Sequence, residues 1–119
     1  MRPVDLAIRL EWVAVAGVAL VLYAMAGVSW WLFALLILAP DLSMLGYLAG
    51  PRVGAVAYNA LHILIVPLLL ALAGYVFANP MATAIALTWV IHIAVDRALG
   101  YGLKLSSGFQ DTHLGRIGR

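Results

Sequence analysis

Two histidines and two aspartates, His62, His92, Asp41 and Asp96, lie inside stretches of this 119-residue chain that otherwise carry almost no charge. Imidazole nitrogens and carboxylate oxygens together suit Zn, Mn or Fe. His92 and Asp96 are four residues apart, on one face of a helix, and Tyr58, Asn59 and His62 are i, i+3 and i, i+4 neighbours in the same sense. A metal held by Asp41, His62, His92 and Asp96 would lower the pKa of a coordinated water to about 7. Glu11 or His113 would then serve as general base, and Arg97 or Lys104 would bind an anionic head group. Asp111, in Asp111-Thr112-His113 near the C-terminus, is a further candidate ligand that closes the cluster from below or is simply solvated. Each residue also has a plainer reading. Asp96 can fix the His92 tautomer or pair with Arg97, Asp41 behind Pro40 can act as N-cap for the turn Leu42 to Tyr47, and His62 can make a helix–helix hydrogen bond.

The elements that must position these residues are membrane helices. Hydrophobic residues make up 66% of the chain and charged residues 10%, against about 45–50% and about 25% in soluble domains. The mean hydropathy is +1.06. A soluble fold of this length cannot hide so much apolar surface. A cytosolic globular enzyme, a disordered chain and a nucleic-acid-binding module are therefore excluded. With no cysteine in the chain, disulfides, thiolate nucleophiles and cysteine metal sites are excluded too. The sequence has no phosphate-binding Gly loop, Gly-x-Ser-x-Gly elbow or His-Glu-x-x-His, so it carries no established catalytic signature.

About 20 apolar residues cross the hydrocarbon core. A boundary at Ser29-Trp30-Trp31 and turns at Gly50-Pro51-Arg52 and Asn79-Pro80 divide the chain into spans over about residues 6–28, 29–50, 53–77 and 81–101, with a polar tail over 102–119. The expected fold is all-α: a single four-span membrane domain in up-down order, its second helix broken at Pro40-Asp41. Ala24-Met25-Ala26 resembles a signal-peptidase site, but the apolar run continues past it and a retained helix is expected. All seven basic residues fall at the N-terminus, the turn near Arg52 or the C-terminal end, so the positive-inside rule puts both termini in the cytoplasm. Trp30 and Trp31 then sit at the outer interface, as aromatic belts do.

A rise of 1.5 Å per residue converts these spans into depth. Asp41, His62 and His92 meet near one level on the cytoplasmic side of the midplane. Glu11, Tyr58, Asn59, Asp96, Arg97 and Tyr101 lie a turn nearer the cytoplasm. One charge at a helix centre costs about 2.5–3.5 kcal/mol, so this cluster must be paired, metallated, protonated or wetted. The segments Leu38–Tyr47 and Ile93–Tyr101 also resemble each other, each placing an Asp shortly before Leu-Gly-Tyr. A parallel duplication and chance both account for so short a match.

Four segments, Leu38–Tyr47, Tyr58-Asn59-Ala60-Leu61-His62, Asp96–Lys104 and Gly108–Gly115, together resemble the bacterial domain-of-unknown-function family 4260. The resemblance covers nearly the whole chain. It implies a short multi-span protein of the bacterial inner membrane, built from this one domain, and brings no established activity with it. More loosely, the intramembrane His and Asp are similar to those of small bacterial membrane-bound metal-dependent hydrolases. Four functions are consistent with the residues. The first is a metal-dependent hydrolase of a lipid or other amphiphile. The second is a small oligomeric transporter or ion-coupled carrier, for which a helix broken near the midplane is suited. A b-type haem protein with His62 and His92 as axial ligands and a structural membrane subunit complete the set. The expected partners are the bilayer, a lipid or amphiphile substrate and a second copy of the chain, not nucleic acid.

Overall fold

Proline placement explains most of the architecture. The chain has five prolines, and three of them, Pro3, Pro51 and Pro80, occupy the first position of a helix. There the missing N–H is no loss and the fixed φ is already helical. The other two, Pro40 and Pro67, lie inside apolar stretches and break them. The structure, a computed structural model, describes residues 2–105 and 110–117. Within these, α1 spans Pro3–Ala26 and α2 Trp30–Leu36, followed by a 3-10 helix over Ala39–Ala49. Then come α3 over Pro51–His62, α4 over Ile65–Val76 and α5 over Pro80–Ala98.

Each break follows from the proline four residues later. A proline removes its own N–H and presses its ring on the carbonyl of residue i−4. For Pro40 that residue is Leu36, where α2 ends. For Pro67 it is Ile63, which is extended at φ −89°, ψ 137° between α3 and α4. The second stretch thus breaks slightly before Pro40-Asp41, and the third, expected as one run, is broken as well. Asp41 does not cap a helix. It sits in the first turn of the 3-10 helix, whose N-cap is Leu38 and has no side-chain cap bond. The 3-10 helix runs for 11 residues, whereas such helices seldom exceed three or four. It lies against α3 at close range: a Cβ on Gly54 would overlap the Tyr47 ring, and one on Gly46 would press on Ala57.

Helix α5 is the axis of the bundle, packed by α1, α2 and α4. It is buried at Thr83, Ala84, Ala86–Thr88 and Val90–Ala94. Ala19 and Tyr23 of α1 meet Ala84, Leu87, Val90 and Ile91 in the core. The outward faces are the reverse of a soluble protein's. Trp31, Leu48 and Phe77 are each more than three-quarters exposed, a cost in water of about 25 cal/mol per Å² that lipid removes. Four helical stretches, Pro3–Ala26, Trp30–Ala49, Pro51–Val76 and Pro80–Ala98, are long and apolar enough to cross a membrane.

Beyond α5 the chain turns back under α3. Two short antiparallel strands, β1 (Asp111–Thr112) and β2 (Gly115–Arg116), form a hairpin, and Lys104 bridges to Thr112. No strand was legible in the tail, where each pairs only two residues. The Asn59 side chain holds the Lys104 backbone at both ends, accepting from its N–H at 2.6 Å and donating to its carbonyl at 2.8 Å.

Candidate metal centre

The broken helices release backbone carbonyls beside the polar cluster. In an unbroken second helix the Asp41 N–H would bond to the Ile37 carbonyl. In the 3-10 helix it bonds to Leu38 at 3.0 Å, leaving the Ile37 carbonyl to accept from His92 Nδ1. At the end of α3 the Leu61 carbonyl accepts from the Trp89 indole at 2.7 Å and the His62 carbonyl from Arg97 at 3.2 Å. His62 Nδ1 faces the Tyr58 carbonyl one turn back, at 2.8 Å.

These contacts decide the tautomers. A carbonyl only accepts, so each Nδ1 carries a hydrogen, and each imidazole in its neutral form keeps its lone pair on Nε2. The two Nε2 atoms face one another at 3.1 Å. Asp41 Oδ1 lies 3.3 Å from His62 Nε2 and 3.1 Å from His92 Nε2. Asp96 Oδ2 lies 3.4 Å and 3.2 Å from the same two nitrogens. All four atoms are within 4.8 Å of one another. With both imidazoles neutral, four acceptors converge. The five separations that involve a nitrogen, 3.1–3.4 Å, are close to the edge of about 3.3–3.4 Å of a tetrahedron with bonds of about 2.0–2.1 Å. The two carboxylate oxygens lie within 4.8 Å of each other. Histidine ligands whose other nitrogen donates to a carbonyl are the usual companions of such sites.

The surroundings are mostly closed. His62 and His92 are 3% and 5% exposed, and Asp96 is half-buried. Asp41, at 37% side-chain exposure, is the open edge. The Tyr58 ring stacks on His62, with centroids 3.6 Å apart and planes at 7°, and its hydroxyl makes a long contact of 3.4 Å to Asp96. Two cations stand below. The Lys104 ammonium lies 4.7 Å from the Tyr58 ring centre. The Arg97 guanidinium lies 4.9 Å from that of Trp12. Burial pushes the Lys104 ammonium below its usual pKa, while Asp96 and Asp41 pull it back up.

Asp41, His62, His92 and Asp96 are thus brought together. Arg97 and Lys104 flank the group. His113 lies in the hairpin, where its Nδ1 accepts from the Leu103 N–H at 2.8 Å. Burial and the charge of Arg97 hold its pKa below the ordinary imidazole value. Glu11 is on the exposed side of α1 and outside the group of four. The side chain of Asp111 lies outside the described residues. What sequence reading missed are the carbonyls of Ile37, Tyr58, Leu61 and His62. For all but Tyr58, Pro40 and Pro67 were the available signal, because a proline frees an acceptor near its i−4 position.

A haem is a poor fit to this geometry, since no porphyrin plane can pass between two imidazole nitrogens 3.1 Å apart. Compared with known proteins, the chain matches no curated protein and no solved structure. The model of one family, "Domain of unknown function (DUF4260)", matches residues 5–117. That match covers all four helical stretches and the hairpin, so the chain belongs to the DUF4260 family.

Proposed function

We propose that this is a multi-pass protein of the bacterial inner membrane, with both termini cytoplasmic, that holds one divalent transition ion and hydrolyses a lipid or other amphiphile at the cytoplasmic leaflet. The ion is Zn, Mn or Fe, and its ligands are Asp41, His62, His92 and Asp96. One observation carries the reading: Nε2 of both histidines and an oxygen of both aspartates converge within 4.8 Å of one another, each Nδ1 being taken up by a carbonyl so that a neutral imidazole turns its lone pair inward. With both imidazoles neutral and both carboxylates ionised, such an arrangement repels itself at low dielectric unless a cation or a shared proton sits in it. A bound ion would supply Lewis acidity and an activated water.

The chain's own residues provide the rest. The exposed edge at Asp41 admits substrate, and Arg97 and Lys104 supply positive charge for an anionic head group. His113, held neutral by burial and by Arg97, is the proton acceptor nearest the tail. Glu11 faces outward from α1 and is a weaker candidate for that role. The test is hydrolysis of ester and phosphoester amphiphiles by the protein in lipid discs. Activity should vanish with a chelator, return on adding one metal, and be absent from His92→Ala. Turnover that persists after chelation contradicts the reading.

A small oligomeric ion-coupled carrier is the second reading, favoured by two discontinuous helices meeting at the cluster, as carriers use them. It requires proton- or ion-driven flux in proteoliposomes that Asp41→Asn abolishes.

A further inference from the structure

An apolar groove of about 170 Å³ is lined by Leu36, Ala39, Pro40, Leu61, Ile85 and Trp89, close in the chain to three of the candidate ligands. Its place is set by the two helix breaks. Leu36 ends α2, Ala39 and Pro40 open the 3-10 helix, and Leu61 is in the last turn of α3. Pro40 precedes Asp41 and Leu61 precedes His62, while Trp89 lies three residues, nearly one turn, before His92. The groove and the polar cluster therefore share a wall. Five of the six lining residues are half-buried rather than enclosed, and all belong to stretches apolar enough to cross a membrane, so the mouth faces lipid. Trp89 alone among the six lining side chains carries a polar atom, and its N–H is already bonded to the Leu61 carbonyl. No lining side chain is left to hydrogen-bond a polar ligand.

We infer that this groove seats one hydrocarbon chain of a membrane amphiphile, directing the polar bond beside that chain to the Asp41 edge of the cluster. The size is right for a chain segment, since a dry cavity of about 150 Å³ takes up a benzene. It is wrong for a helix of a second copy, which is about 10 Å across and needs about 1,000 Å² of contact to hold stably. The inference rests on the hydrolase reading for its consequence, but the binding is separable from the metal.

The experiment uses the native protein in lipid discs, with a trace of alkyl phosphate carrying a diazirine along its chain, and reads both cross-linked residues and metal content. Labelling should concentrate on the six groove residues and fall at least fivefold with excess unlabelled alkyl phosphate. It should fall as far in Ala39→Phe and in Ile85→Phe, which fill the groove from the 3-10 helix and from α5, at unchanged metal content. Labelling spread evenly over the outer faces, with Val13 and Leu20 of α1 as reference, and indifferent to both variants and to competitor would overturn the inference. If competed labelling persists in protein that holds no metal, the groove stands and the hydrolase reading falls. If metal is bound and labelling is not competed, the groove falls alone.

Discussion

The two proline breaks differ in what they do with the carbonyls they free. Ahead of Pro40 the chain does not resume as an α-helix but runs as 11 residues of 3-10 helix, and the released Ile37 carbonyl orients an imidazole. Ahead of Pro67 the chain makes one extended residue and returns to α-helix. Its released carbonyls, Leu61 and His62, tie α3 to Trp89 and Arg97 of α5. The first break therefore tunes the site, and the second fastens the scaffold around it. One chemical device, a missing N–H, serves chemistry in one place and cohesion in the other.

Restoring an unbroken helix at the first break should have the largest effect. In Pro40→Ala the Asp41 N–H can reclaim the Ile37 carbonyl, so His92 loses the partner that fixes its tautomer and Asp41 rotates off the cluster. Loss of such supporting contacts costs about 10–100-fold in metal affinity, to be read by competition with a fluorescent chelator. An unchanged affinity would remove the distinction between the breaks. Disturbing the second break should act on stability instead. Trp89→Phe deletes the bond to the Leu61 carbonyl, a loss of about 0.5–1.5 kcal/mol for a neutral hydrogen bond, seen as a lower melting temperature with metal affinity within about threefold of native. A tenfold fall in affinity would make both breaks part of the site.

The smallest effect lies away from both breaks, in the hairpin. His113 is held below the ordinary imidazole pKa by burial and by Arg97, so folding favours its neutral form. That stabilisation is present above the unfolded pKa and is lost as pH falls through the lowered folded value, because protonation removes the lone pair that binds the Leu103 N–H. Protection of the Leu103 amide from hydrogen exchange should therefore decrease on acidification, and His113→Ala should remove the dependence. Protection that is flat with pH in the native protein would contradict this.

Much of the architecture was legible because membrane helices write themselves in length and apolarity. The turns at Pro51 and Pro80 and the shared depth of Asp41, His62 and His92 followed from counting residues. Asp96 was placed a turn lower, yet its carboxylate reaches His92 because i, i+4 side chains on α5 meet, and His62 because the two Nε2 atoms face one another. The break at Ile63 was hidden inside a continuous apolar run, although Pro67 marked it. Of the carbonyls that aim the histidines, that of Ile37 was marked only indirectly, by Pro40, and that of Tyr58, inside intact α3, had no signature. Nor was the hairpin legible, whose strands pair two residues each.

The central claim is that the inward-facing lone pairs of His62 and His92 hold a metal. Elemental analysis of protein purified without chelators, beside His62→Ala, His92→Ala and the double variant, tests it most directly. The account predicts close to one equivalent of a transition metal per native chain and near-complete loss in each variant, with helical content preserved. A native protein that carries no metal and takes none up on titration, or a double variant that keeps its metal, would contradict it.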